Sequence, residues 1–183
     1  MKIYSLFLTL LCLFSGYAKA AVITLEPTGT VTLGSTFMLE IIGTGFTGTE
    51  GGGATFTFDE TLLQVNSVSI DTGVWDFATI PGAIDNANGD VAGIAVAAYV
   101  DPGASFTVAT VEFAAIGIGS TSLVLSENPV NLWASGGSEI YPTLINGDVI
   151  VVAAVPVPPA LYLFGSGLLG LVGLGRRKLA RSI

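Results

Sequence analysis

Short runs of β-branched and aromatic residues recur along the chain from residue 22 to residue 152, separated by Gly, Asn, Asp and Pro. Polar and apolar residues alternate in residues 55–58 and again in residues 37–41. Such alternation places every second side chain on the same face of a strand. The pattern predicts an all-β fold of short strands, with Phe56 and Phe58 among its core residues.

Two stretches depart from simple alternation. Residues 94–100 are apolar almost throughout, which predicts a central strand that neighbouring strands shield at both edges. Residues 43–53 are rich in glycine, the residue that most often interrupts regular structure. We therefore expect a loop or a wide hairpin turn at residues 43–53.

The N-terminal segment, residues 1–20, has the three parts of a secretory signal peptide. Lys2 supplies the positive start, residues 3–14 form an apolar run, and Ala18 and Ala20 are the small residues of a cleavage site. The apolar run is too short to span a membrane. The sequence therefore predicts cleavage by signal peptidase after Ala20 and export of the residues that follow.

The C-terminal segment, residues 154–183, combines a proline motif, an apolar stretch and a basic cluster. The motif comprises Val155, Pro156, Val157 and Pro158, the apolar stretch covers residues 160–175, and the cluster is Arg176, Arg177 and Lys178. A helix of about sixteen residues rises ~24 Å, slightly less than the ~30 Å hydrocarbon core of a bilayer. We expect one short transmembrane helix, with the basic cluster as its cytoplasmic anchor.

The charged residues separate the ends of the chain from its body, residues 21–153. All six basic residues lie in the two end segments, whereas all fourteen acids lie between Glu26 and Asp148. The formal charge of the body is therefore −14, from fourteen acids and no base. A body without Lys or Arg has nothing with which to neutralise phosphates, which excludes nucleic acid as a partner.

The composition also excludes several kinds of catalytic and metal site. The chain has no histidine, and its one cysteine, Cys12, lies in the apolar run of the signal peptide. Neither His-dependent acid–base chemistry nor a His- or Cys-ligated zinc site is available to the body. The one adjacent pair of acids, Asp59 and Glu60, is expected to cap a turn. We therefore predict no catalytic residues and no enzyme activity.

Residues 85–90 have the sequence Asp-Asn-Ala-Asn-Gly-Asp, which is rich in the oxygen ligands that calcium prefers. The spacing differs from that of an EF-hand loop, because Ala87 and Gly89 stand at its third and fifth positions. An Asn-Gly turn explains the same residues. The sequence favours the turn and implies no cofactor, with calcium binding as the alternative.

Aromatic residues offer a second candidate site. Trp75 and Trp133 lie close to glycines that favour loops, and Phe77, Tyr99 and Tyr141 are further candidates. Aromatic ring faces stack on sugars when they are exposed, although most aromatic residues belong to a core. The sequence favours burial in the core, with a glycan-binding platform that includes Trp75 and Trp133 as the alternative.

The C-terminal segment resembles a known sorting signal. Its proline motif, apolar stretch and basic cluster are similar in order to the PEP-CTERM domain, the signal of proteins handled by exosortase in Gram-negative bacteria. Residues 164–168 match the Phe-Gly-Ser-Gly-Leu core of one variant, while Val157 replaces the Glu of the family's Val-Pro-Glu-Pro. The resemblance implies cleavage at or near the proline motif, in cells that make exopolysaccharide and form biofilms.

The body resembles cohesin-like domains. Residues 58–65 are similar to that family's aromatic-Asp-Pro-x-x-Leu-x-Val turn, with Glu60 where Pro is usual. Residues 111–123 resemble its late strand pair, and residues 146–151 resemble its closing strand. The resemblance covers residues 31–152 and implies a jelly-roll β-sandwich of two sheets.

These observations predict an exported, non-catalytic protein of the cell surface or extracellular matrix of a Gram-negative bacterium. Signal peptidase and exosortase would process it, with an intermediate anchored in the inner membrane and extracellular polysaccharide as its expected surroundings. One alternative is a carbohydrate- or protein-binding cohesin-like module with a specific partner. An extracellular polysaccharide hydrolase is a further alternative, which the missing histidine disfavours.

Overall fold

The computed structural model describes residues 20–154, together with Phe164 and Ser166. All regular elements of residues 20–154 are β-strands, as the alternating pattern predicts. They are β1 (Val22–Glu26), β2 (Gly29–Thr32), β3 (Thr36–Thr44), β4 (Thr49–Thr57), β5 (Leu63–Ser69), β6 (Ala78–Ile80), β7 (Ala83–Asp85), β8 (Asp90–Ala97), β9 (Ser105–Ala115), β10 (Gly119–Glu127), β11 (Ala134–Ser135), β12 (Ser138–Glu139), β13 (Thr143–Ile145) and β14 (Gly147–Val152).

The strands form two sheets. Five strands make the first sheet in the order β13-β1-β3-β9-β5. The second sheet has nine strands and is organised around β4, which pairs with β8 along one edge and with β10 and β11 along the other. Strands β6 and β7 continue this sheet beyond β8, while β14 and β2 continue it beyond β10. The predicted all-β sandwich is confirmed.

The core lies between the two sheets. Phe56 on β4 and Phe58 just after β4 pack against Phe113 of the first sheet, with ring centroids 6.0 Å and 5.7 Å apart. All three rings are buried, so the predicted core positions of Phe56 and Phe58 are confirmed. Each such side chain stabilises the fold by about 1.5–3 kcal/mol through removal of its apolar surface from water.

The glycine-rich stretch differs from its predicted structure. A loop or wide turn over residues 43–53 is wrong, because β3 continues to Thr44, β4 begins at Thr49, and the turn between them is short. The physical reason is close packing on β4. A Cβ atom at Gly52 would lie 2.2 Å from Cδ2 of Trp133, so glycine is there to admit the indole ring.

The apolar run at residues 94–100 is a strand for only part of its length. Strand β8 ends at Ala97, after Ile94 and Val96 have entered the core. Tyr99 and Val100 follow outside the sheet and are exposed. The central strand is therefore shorter than predicted, because the partner strand β4 ends its pairing with β8 at Ala97.

The sorting and cleavage segments fall largely outside the described residues. These undescribed positions include Ala18, the motif Val155 to Pro158, and the basic cluster Arg176, Arg177 and Lys178. From the predicted C-terminal helix the structure describes Phe164 and Ser166, both helical. Within the part of the chain that is described, no helix has the length and apolar character needed to span a membrane.

Candidate interaction face

Small, uncharged side chains cover the middle of the outer surface of the second sheet, and two carboxylates border them: Asp90 opposite Thr57 and Asp148 opposite Ser122. Pairing of Val124 with Thr57, and of Ser126 with Thr55, places these four residues on one side of β10 and β4. Their neighbours in sequence, including Phe56, Leu123 and Leu125, point into the core. The small-residue face, as we call it, comprises these outward residues of β10, β4 and β8: Ser120, Ser122, Val124, Ser126, Thr55, Thr57 and Ala97.

The outer surface of the five-stranded sheet has a different character. It presents the exposed side chain of Met38 together with the carboxylates of Glu40 and Glu112. Glu112 accepts weak hydrogen bonds from Asn66 and Ser67 on β5, at 3.5 Å and 3.4 Å. Long and charged side chains lose more entropy and more hydration when a partner covers them. The small-residue face is therefore the better surface for close association.

A loop at residues 128–132 lies against one end of the small-residue face. Asn128 holds it in place: its Nδ2 donates to the Ile94 carbonyl at 3.2 Å, and its Oδ1 accepts the Val130 and Asn131 N–H groups at 3.0 Å and 3.3 Å. Glycine at position 53 permits this contact, since a Cβ there would lie 2.8 Å from the Cβ of Asn128.

Between this loop and the sheet lies a groove of about 600 Å³, whose lining includes Gly51, Ala97 and Val130. The carboxylates at this end give it a negative potential. Glu50 and Glu139 both line the groove. With no Lys or Arg among residues 20–154 to offset them, the groove favours neutral or cationic groups.

Asp101 fixes the turn between β3 and β4 at this same end of β4. Its Oδ1 accepts the N–H groups of Gly103 and Thr49 at 3.0 Å and 3.1 Å, and its Oδ2 accepts that of Gly48 at 3.0 Å. These hydrogen bonds, chiefly the one from Gly103, hold the pKa of Asp101 below its ordinary value. The Asp101 carboxylate therefore stabilises the turn, and its oxygens are already engaged in hydrogen bonds.

Trp75 and Trp133 lie in the core, as the sequence favours, and the alternative of a glycan-binding platform is wrong for both. Both indoles are 1 % exposed and lie in the core, where they contact each other at a centroid distance of 6.4 Å and also pack on Phe106. The indole N–H of Trp75 donates to the Thr107 carbonyl at 2.9 Å. Because both rings are enclosed by core residues, neither ring face can stack on a sugar.

The exposed aromatic pair of the body is Phe77 and Tyr99. Their rings meet edge to face at a centroid distance of 4.7 Å, and their exposed fractions are 59 % and 76 %. The Tyr99 N–H donates to Oδ1 of Asp76 at 2.8 Å, and the Phe77 N–H donates to the Ala97 carbonyl at 3.1 Å. Hydrogen bonds from these two backbone N–H groups thus hold the pair beside the end of β8.

Residues 85–90 form the turn between β7 and β8. Oδ1 of Asp85 accepts the N–H groups of Ala87 and Asn88 at 3.0 Å and 3.2 Å, and Oδ2 accepts from Nδ2 of Asn88 at 2.7 Å. Those bonds, led by the one from the Asn88 side chain, lower the pKa of Asp85. Within residues 20–154, no three His, Cys, Asp or Glu side chains are grouped so as to hold a metal ion.

Asp59 and Glu60 occupy a turn, as the sequence predicts. Oδ1 of Asp59 accepts from the Thr61 N–H at 2.9 Å and from the Thr61 hydroxyl at 2.5 Å. The Asp59 carbonyl accepts from the N–H groups of Leu62 and Leu63, at 3.1 Å and 2.9 Å. The pKa of Asp59 is lowered by the hydrogen bonds from Thr61, which suits a turn cap.

Comparison with solved structures identifies the architecture of the body. A non-cellulosomal cohesin from the hyperthermophilic archaeon Archaeoglobus fulgidus superposes with a TM-score of 0.61 at 12% identity, covering 73% of this chain and 91% of that one. The body has the cohesin fold. A cohesin module of a family 33 glycoside hydrolase from Clostridium perfringens gives a TM-score of 0.56 at 18% identity, covering 74% of this chain and 99% of that one.

A third solved cohesin has a bound partner. It is the third cohesin of ScaC from Acetivibrio cellulolyticus, in complex with the ScaB dockerin, with a TM-score of 0.57 at 20% identity, covering 73% of this chain and 99% of that cohesin. No protein-family model matches the present sequence, and no curated protein matches it. Identities this low establish the fold of the body and leave its partner to be argued from its surface.

One strand of the small-residue face can be recognised from the sequence alone. In β10, Ser120, Ser122 and Ser126 alternate with Leu123 and Leu125, so one side of that strand is visibly small and polar. The neighbours of these serines depend on strand pairing across long stretches of chain, which alternation alone does not specify. The face as a whole became apparent only from the structure.

Proposed function

We propose that this chain is an exported, non-catalytic surface or matrix protein whose body binds a protein partner through the small-residue face. One observation carries the proposal: on a cohesin fold, small uncharged side chains occupy neighbouring outward positions on three adjacent strands, with Asp90 and Asp148 at their border. A dockerin occupies the related cohesin of Acetivibrio cellulolyticus. The corresponding partner here is a protein domain of dockerin type.

The chemistry of the small-residue face suits this role. Small side chains lose little conformational entropy on association, and their sheet presents a preformed surface. A standard interface buries ~800 Å² on each partner, about the scale of one face of a small sandwich. The carboxylates of Glu50 and Glu139 at one end would favour basic residues on the partner.

The sorting part of the proposal is supported by the order of the end segments. A signal peptide at residues 1–20 and a PEP-CTERM-like segment at residues 154–183 flank the body. Signal peptidase would release the N-terminus, and exosortase would process the chain near the proline motif while residues 160–175 hold it in the inner membrane. The body would then reach the cell surface or an exopolysaccharide matrix.

The binding proposal is tested with the exported protein and envelope and matrix extracts of the producing organism. A captured protein is purified, and its affinity is measured for the parent and for Ser122→Arg, Val124→Arg and Thr55→Arg. We expect a loss of at least tenfold for these face variants. Gln64→Arg, on the other sheet, is the matched control and should bind normally. Equal binding by face and control variants would rule out the small-residue face as the binding surface.

A specific observation favours glycan binding as a second candidate function. The exposed pair of Phe77 and Tyr99 offers aromatic surface next to the carboxylate of Asp76. Stacking on a neutral or cationic polysaccharide would be compatible with the charge of the body. A glycan array comparing the parent with Phe77→Ala and Tyr99→Ala tests this function. Binding that both substitutions leave unchanged would exclude the aromatic pair.

A further inference from the structure

A second groove lies where the body begins. It has a volume of about 480 Å³, and its lining includes Ala20, Ala21, Glu139 and Tyr141. The Tyr141 hydroxyl donates to Oε2 of Glu139 at 2.8 Å. We call it the N-terminal groove. Predicted signal-peptide cleavage separates Ala20 from Ala21, and both of these residues line it.

The backbone of Ala21 has a fixed position in the N-terminal groove. Its carbonyl accepts a hydrogen bond from the Thr143 N–H at 2.8 Å, just before β1 and β13 pair as parallel strands. Its side chain is partly buried and packs against the core. The Ala21 backbone is therefore held beside the groove by contacts to residues of the body.

The N-terminal groove has a strongly negative environment. The hydrogen bond to Glu139 raises the pKa of Tyr141 above its ordinary value, and the charges of Glu139 and Glu127 add to the effect. The other lining residues, on the loop after β3 and on β11, carry no titratable side chain. No Lys or Arg lies among residues 20–154 to compensate these carboxylates.

We propose that the N-terminal groove binds the α-ammonium group that signal-peptide removal creates on Ala21, with the Glu139 carboxylate and the Tyr141 hydroxyl oxygen as its partners. Before cleavage, the nitrogen of Ala21 is a neutral amide with one N–H. After hydrolysis of the Ala20–Ala21 bond it is an ammonium with three N–H donors and a full charge. The ion pair therefore forms only in the processed protein, and this ammonium is the one cation of residues 21–154.

The composition of the chain makes a direct test practical. Lys2 and Lys19 leave with the signal peptide, and Lys178 is the one lysine that follows Ala21. In a Lys178→Arg chain that is exported and processed, the α-amine is consequently the single target of N-hydroxysuccinimide acetate. Acetylation removes its charge without changing any other side-chain amine.

Acetylation should lower the melting temperature at low salt by about 1–4 °C, the range for one exposed ion pair in a body of this size. The shift should shrink to less than half in Glu139→Gln, whereas the matched control Glu60→Gln should respond like the parent. Glu60 is exposed in the turn after β4 and is not among the residues that line the N-terminal groove.

The α-amine can also be titrated by NMR. Its pKa should lie above the usual ~7.7–8.0 in the parent and return toward that range in Glu139→Gln. A raised folded-state pKa means that the stabilisation is complete below the unfolded value and disappears as the pH rises through the folded value. The difference between free and acetylated protein should follow that pH dependence.

Three results would overturn the proposal. They are an equal effect of acetylation in the parent and Glu139→Gln, an α-amine with an ordinary pKa, and a mature chain that starts at a residue other than Ala21. All of these measurements use the protein alone. They are therefore independent of whether the small-residue face has the partner proposed above.

Discussion

The side chain of Asn86 pairs with the backbone of Val65 in the way that a neighbouring strand would. Its Nδ2 donates to the Val65 carbonyl at 2.9 Å, and its Oδ1 accepts the Val65 N–H at 2.8 Å. Asn86 lies in the turn after β7 of the nine-stranded sheet, while Val65 belongs to the edge strand β5 of the other sheet, beside a register shift. One amide thus joins the two sheets where β5 has no strand on that side.

Replacement of Asn86 by Asp should therefore destabilise the body. An ionised Asp keeps the acceptor for the Val65 N–H, but it turns a carboxylate oxygen toward the Val65 carbonyl in place of a donor. We expect a loss of about 1–3 kcal/mol in the free energy of unfolding. Asn131→Asp on another loop is the control, because among the described hydrogen bonds Asn131 contributes only its backbone N–H. Denaturant unfolding that fails to separate the two variants would contradict this role.

Gly52→Ala should destabilise the protein through the contact with Trp133. The added methyl group would lie 2.2 Å from the indole ring, which is itself enclosed by Phe46 and Phe106. Overpacking of this kind costs about 1–3 kcal/mol or more. Gly73→Ala is the comparison, since its methyl group would meet only the exposed Asp71 side chain. A smaller effect at Gly52 than at Gly73 would show that the indole can move aside.

The accuracy of sequence-based prediction differs between local and long-range features. Phe56 and Phe58 were predicted correctly because alternation within one strand is a local property. Residues 43–53 were predicted wrongly because glycine serves two purposes, and local sequence does not distinguish a turn from close packing on a distant indole. The sequence left a surface platform open for Trp133 for a similar reason: its burial depends on β4, which lies some eighty residues away. The pairing that assembles the small-residue face is likewise long-range.

Asp101 should make the stability of the body sensitive to strong acid. Its pKa is lowered from 3.8, so the stabilisation it provides is present above that value and is lost as the pH falls through the folded-state pKa. Asp101→Asn should lower the melting temperature at pH 7. Below about pH 4, near the ordinary pKa range of carboxyl groups, the melting temperature of this variant should fall less steeply than that of the parent. A parallel decline in both proteins, measured by calorimetry from pH 2.5 to pH 7, would argue against Asp101 as the sensitive group.

The melting temperature should rise with salt. Fourteen carboxylates without an internal base repel one another, and the screening length falls from ~10 Å at 0.1 M to ~3 Å at 1 M salt. We expect stabilisation on going from 10 mM to 500 mM NaCl. At equal ionic strength CaCl2 and MgCl2 should act alike, because the oxygens of Asp85 and Asn86 already accept hydrogen bonds. A melting temperature that falls as NaCl is added would refute the repulsion. A melting temperature that rises more with calcium than with magnesium would support a calcium site in the turn at residues 85–90.

The proline motif should be the site of C-terminal processing. In a host with exosortase, intact mass spectrometry of the released protein should show a chain that ends near residues 155–159, outside the bilayer and within reach of a membrane enzyme. Substitution of Arg176, Arg177 and Lys178 by Ser should reduce this processing, since the cytoplasmic anchor is lost. Released protein that still ends at Ile183 would contradict cleavage, and unchanged processing of the Ser variant would contradict the anchor.

The lengths of the edge strands affect how densely such a protein can be displayed. Within residues 20–154, the outermost strands β2, β6, β7, β12 and β13 have 4, 3, 3, 2 and 3 residues, and the seven-residue edge β5 is interrupted at Val65 by the Asn86 amide. Long open edges act as templates on which other chains add strands and aggregate. Bodies of this kind can be packed at high density without joining edge to edge, which leaves the broad faces of their sheets accessible for recognition.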